Sequence, residues 1–108
     1  MEFVASGSPH VVSRAIEEYA TSQGNLSAIV VPWESDRDRL SMAVTAMKGD
    51  GWAIEHTNLG TITVTDLGNG ATRVAVAVQD PDHSDNQKLL ALFDRFARQI
   101  QEHLQVAP

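Results

Sequence analysis

Cysteine is absent from this chain of 108 residues, which excludes a disulfide framework and thiolate metal sites and fits a reducing compartment. Positive charge is scarce: eight Lys and Arg stand against fourteen Asp and Glu, a formal charge of −6. A field of that sign repels phosphate backbones and anionic lipid unless the cations cluster. They do not cluster, since Arg14, Arg37, Arg39, Lys48, Arg73, Lys88, Arg95 and Arg98 are spread out and Asp36 and Asp38 offset the one close pair. No nucleic-acid or membrane partner is therefore expected. No apolar run approaches the roughly 20 residues of a membrane-spanning helix. The opening Met1-Glu2-Phe3-Val4-Ala5-Ser6 has no basic, then apolar, leader pattern, so a cytoplasmic location is expected.

What is present is ordinary for a globular protein, 43% hydrophobic and 20% charged, and the length suits a single domain over residues 1–108. Residues 3–5 suit a short edge strand. Ser8 can cap exposed amides and Pro9 suits the first helical position, so a helix is expected from Pro9 to Ser22, with Val12, Ala15, Ile16 and Tyr19 on one face and Gly24 as its stop. Residues 28–33, Ala-Ile-Val-Val-Pro-Trp, read as a strand that Pro32 confines to an edge or an end. Residues 36–48 fit two templates. Leu40, Ala43, Val44 and Met47 fit a helix capped by Ser35 or Asp36, whereas Leu40, Met42, Val44 and Ala46 alternate as a strand does. The capping signals favour the helix.

Residues 52–57 and 61–67 read as two strands. Leu67-Gly68-Asn69-Gly70-Ala71 is a hairpin turn, and residues 72–79 return as the partner strand, with Val74, Val76 and Val78 on one side and Arg73, Ala75 and Ala77 on the other. Ser84 and Gln87 form a capping box for a last helix over 84–105. Its apolar stripe is Leu89, Leu92, Phe93, Phe96, Ile100 and Leu104, and Asp94 and Arg98 pair on its wet side. The expected fold is α+β: an antiparallel sheet of four to five strands packed against a long C-terminal helix and one or two further helices.

Two stretches carry a family resemblance. The run Phe3-Val4-Ala5-Ser6-Gly7-Ser8-Pro9-His10 and the helix after it are similar to the opening of START-like domains. The run Gly60-Thr61-Ile62-Thr63-Val64-Thr65-Asp66-Leu67-Gly68-Asn69-Gly70 resembles their late hairpin. Together they resemble the TATA-binding-protein-like fold that underlies these helix-grip domains, in its short bacterial version. The resemblance implies a curved sheet wrapped on the C-terminal helix, and it implies no particular activity.

Chemistry-bearing constellations are few. Asp80-Pro81-Asp82-His83-Ser84-Asp85 lacks the glycine and distal glutamate of a calcium loop and reads as a polar helix entry. His10, His83 and His103 have no partners at zinc-ligand spacing. No phosphate-binding glycine fingerprint and no nucleophile elbow occurs, so no catalytic residue, metal or cofactor is expected. An enzyme built on His56 ranks last. Trp33 and Trp52 are expected to anchor the core, unless a ring stands exposed beside a groove. The leading expectation is a small homodimeric binding or assembly module. Its basis is a second sheet face of low polarity (Val30, Ala53, Ala75) and an edge that needs covering. The alternative is a carrier of a small apolar ligand between the last helix and the sheet, lined by Met47, Trp52, His56, Phe93 and Phe96.

Overall fold

The computed structural model describes residues 1–49, 54–78 and 87–105. Strand β1 (Glu2–Ser6) leads into helix α1 (Pro9–Ser22). Four strands follow, β2 (Leu26–Val30), β3 (Arg39–Gly49), β4 (Ile54–Gly68) and β5 (Ala71–Val78), and helix α2 (Gln87–Leu104) closes the order. A 3-10 turn, Pro32–Glu34, lies between β2 and β3. The five strands form one antiparallel sheet in the order β1-β5-β4-β3-β2. The expected α+β architecture is thus present, with two α-helices and five strands.

Helix α1 begins where its capping signals stand. Ser8 is extended and its side chain accepts a hydrogen bond from the Val11 amide at 3.3 Å, with Pro9 in the first turn. The hairpin is equally local. Asn69 and Gly70 both have positive φ, 57° and 76°, as a type I′ turn requires. Its base is tied to the start of α1: the Gly7 amide donates to the Gly70 carbonyl, and the buried Thr72 hydroxyl donates to the Gly7 carbonyl at 2.7 Å.

The helix expected over 36–48 is instead the long strand β3. The residues read as helix caps do bind backbone groups, but they fold a turn. Asp36 Oδ1 accepts from the amides of Asp38 and Arg39 at 2.9 and 2.8 Å. The Ser35 hydroxyl donates to the Val31 carbonyl and accepts from the Ser41 amide. Short polar side chains serve turns and helix starts by the same reach, so the cap signal did not discriminate. The alternation decided it: Leu40, Met42, Val44 and Ala46 are all buried on one side.

The strand expected at 61–67 and the described part of the one expected at 52–57, from Ile54 onward, belong to one strand, β4. Between them the register against β3 skips at Leu59, since Val44 pairs with Gly60 and Thr45 with Asn58. This bulge puts Leu59 into the core beside the inner row of Ile62 and Val64. The inner side of the sheet then continues through Phe3, Ala5, Thr72, Val74, Met42 and Leu26, all buried. Val30 pairs with Met42 and so belongs to this side, not to the opposite one expected of it; Ala75 does lie on the opposite side, and Ala53 falls outside the described residues.

Both helices lie on the inner side. Helix α1 contributes Val12, Ile16 and Ala20, and α2 contributes Phe93, Phe96, Ala97 and Ile100. Tyr19 of α1 stacks on Phe96 with ring centroids 5.8 Å apart. Phe93 lies against β4 where that strand carries Gly60; a Cβ there would overlap both the Phe93 ring and the Ala77 carbonyl. The Asp94–Arg98 pair forms on the outer side of α2 at 2.8 Å, while the capping-box residue Ser84 falls outside the described residues.

Two stability outcomes follow. Gly60→Ala should destabilise by about 1–3 kcal/mol, because backbone and a core ring must both move; an unchanged urea midpoint would show that α2 sits further from β4. Thr72→Val keeps the volume but leaves the half-buried Gly7 carbonyl without its Thr72 donor, a loss of about 1–2 kcal/mol in equilibrium unfolding.

Candidate functional site

Of the five residues expected to line a ligand groove, the structure describes the side chains of Met47, Phe93 and Phe96. Phe93 and Phe96 are each 1% exposed and fill the interval between α2 and the sheet. Met47 is half-buried on β3, where its amide donates to the Asn25 carbonyl at 2.8 Å and its register partner on β4 is His56. Trp52, the His56 side chain and the polar loop 80–85 fall outside the described residues.

Trp33 overturns its expectation. It is 83% exposed and stands on the 3-10 turn next to the side of the sheet that carries no helix among the described residues. The reason is local. Val31 ends the pairing with β3 by donating to the Ser41 carbonyl, Pro32 turns the chain, and the Glu34 amide closes the turn on the Val31 carbonyl at 3.2 Å. Trp33 thus follows the strand instead of lying in it, and strand parity no longer sends its ring to the core. The dipeptide Pro32-Trp33 ahead of the turn-formers Ser35 and Asp36 was the signal that could have disclosed this.

The helix-free side is built from small and β-branched residues in register: Thr63 between Ser41 and Ala75, Thr61 between Ala43 and Ala77, and Thr65 between Arg39 and Arg73. Two clefts flank Trp33 there. The larger, about 430 Å³, is lined by Trp33, Glu34, Ser35, Asp36, Arg39, Ser41 and Thr63. The smaller, about 230 Å³, is lined by Val31, Trp33, Glu34, Ala43, Asn58 and Thr61. Ser35 and Asp36 are engaged in holding the turn, which leaves the indole, Glu34 and Arg39 as the groups able to meet a ligand. A third cleft, about 360 Å³, lies on the opposite side between α1 and the β2–β3 pair, lined by His10, Ser13, Arg14, Glu17, Val30 and Leu40. None of these three clefts is lined by a residue of α2. Among the described residues no group of three or more His, Asp or Glu is placed to hold a metal ion.

The two sheet edges differ. The β1 edge meets the chain after α2, where Ala5 and Gln105 form an antiparallel bridge. The β2 edge has no partner among the described residues. Asn25 and Val31 direct their backbone groups at β3, through the bonds from the Met47 amide and to the Ser41 carbonyl. Antiparallel alternation therefore turns the N–H and C=O of Leu26, Ala28 and Val30 outward. This strand, Leu-Ser-Ala-Ile-Val, carries no charge, no proline and no bulge, the usual protections of an edge. Ile29 beside them is 60% exposed.

Compared with protein-family models, with curated proteins and with solved structures, the chain gives no match.

An exposed Trp33 contributes little to folding. Trp33→Ala should leave the unfolding free energy within about 0.5 kcal/mol of the parent, while removing most acrylamide-quenchable emission in a Trp52→Phe background. A loss above about 1 kcal/mol would mean that the ring is packed against the sheet.

Proposed function

We propose that this chain is a small binding and assembly module that works as a homodimer, joined through the β2 edge. The observation that carries the reading is the set of outward backbone groups on Leu26, Ala28 and Val30, in a strand with none of the features that keep edges apart. The set is self-complementary. A two-fold axis at Ala28 sets Ala28 against its own copy and Leu26 against Val30, and it satisfies every one of those groups with about six hydrogen bonds.

Charge on the neighbouring helix agrees with this register. Helix α1 runs back along β2, and its residues Arg14 and Glu17 line the cleft beside Val30. At about 1.5 Å per helical residue against 3.3 Å per strand residue, counting from the α1–β2 turn puts Glu17 near the level of Ala28 and Arg14 near that of Val30. The same axis makes the two α1 helices antiparallel and leaves Arg14 of one copy about one helical turn from the level of Glu17 of the other. At about 0.5–1.5 kcal/mol net per hydrogen bond, the joint supports association in the micromolar range or weaker.

The order strand, helix, four-stranded meander, helix supports the TATA-binding-protein-like, START-like reading of the fold. The apolar-carrier alternative loses support from Phe93 and Phe96, which occupy the space a ligand would need.

Light scattering at high micromolar concentration should give the mass of a dimer. Ala28→Pro removes an outward N–H and leaves the β2–β3 bonds in place, so it should give monomer. Arg14→Glu should weaken the dimer and Arg14→Glu with Glu17→Arg should restore it. Monomer for the parent chain would sink self-association; a dimer indifferent to all three variants would place the joint elsewhere.

A further inference from the structure

The geometry points to the smaller cleft beside Trp33 as a binding site for a small organic cation, seated on the indole face with its charge against Glu34. This site lies on the helix-free side of the sheet and does not depend on how copies associate.

Its chemistry follows from what lines it. Glu34 is the only charged residue among the six, Trp33 the only aromatic one, and Ala43 and Thr61 form a floor of small side chains. An indole face attracts a cation through its quadrupole, most strongly where a carboxylate supplies the counter-charge. The protein's own cations do not fill that role: Arg39 shares the larger cleft with Glu34, but among the described residues Glu34 has no ion-pair partner. A formal charge of −6 over the whole chain favours a cation and disfavours an anion at the same place. The volume, about 230 Å³, is below that of sites for drug-sized ligands and suits a single ammonium head with a short substituent.

The backbone that carries the ring is also held in advance. The turn that carries it is closed by the Glu34 and Ser35 amides, on the carbonyls of Val31 and Pro32, and it is pinned to β3 through the Ser35 hydroxyl and the Ser41 amide. A ligand therefore does not need to order the loop, which lowers the cost of binding. Leaving an indole 83% exposed on a rigid turn forfeits burial that the other described aromatic side chains obtain in full or in part, and a ligand in this cleft would recover it.

The test uses the full chain and two probes of similar size, benzyltrimethylammonium and benzoate, followed through the indole N–H resonance that Trp33→Ala removes. The ammonium should shift that resonance saturably, benzoate should not, and Glu34→Gln should weaken the ammonium by about two- to fivefold. No saturable shift by tens of millimolar ammonium, an equal response to benzoate, or undiminished binding by Glu34→Gln would each overturn the assignment. A Trp33 resonance that moves on dilution without any probe would also overturn it, by giving the ring to a contact between copies.

Discussion

The contact of Phe93 with the backbone of β4 at Gly60 is the constraint on which the rest depends. It is the point where α2 comes down onto the sheet, and nothing larger than a hydrogen fits between ring and strand. From that point the helix can extend only along the inner side, so Phe96 and Ile100 fall into the core and Phe96 meets Tyr19 of α1. The bulge one residue earlier is part of the same arrangement. It turns Leu59 inward, so that β4 fills the core on both sides of the gap its glycine leaves.

Because both helices take one side, the opposite side of the sheet carries no helix among the described residues. The opposite side is kept tolerable by threonine, alanine and serine, whose small side chains neither bury much area nor invite aggregation. The two edges are treated unequally: the chain returning from α2 bridges β1, while β2 carries a row of backbone groups with no partner among the described residues. Among the described residues no buried side-chain polar atom lacks a partner, whereas that row and the exposed Trp33 depart from ordinary packing. Such departures are where interaction sites are expected.

Elements with their own punctuation were legible in the sequence. Ser8-Pro9 begins α1, Asn69-Gly70 forms the hairpin, and the Phe93, Phe96, Ile100 spacing marks the buried stripe of α2. In each case the determining forces act within a turn or two of chain. The candidate site was less legible. Phe93 and Phe96 were read as lining a groove because apolar stripes look the same whether they fill a space or border one. Trp33 carries an expectation of core because indoles at strand ends usually anchor there, and Pro32 takes it out of the strand.

The sequence by itself determined the α+β class, the start of α1, the hairpin and the two-residue alternation of the strands, since these rest on backbone propensities and side-chain reach within a few residues. Only the tertiary structure decided that residues 39–49 are a strand, that β4 is continuous through its bulge, and which side and which edge stay open. The physical reason is that a segment of ten residues satisfies both a 3.6-residue and a two-residue period. The choice is made by hydrogen bonds to β2 and β4, neighbouring strands that a period read within the segment does not include.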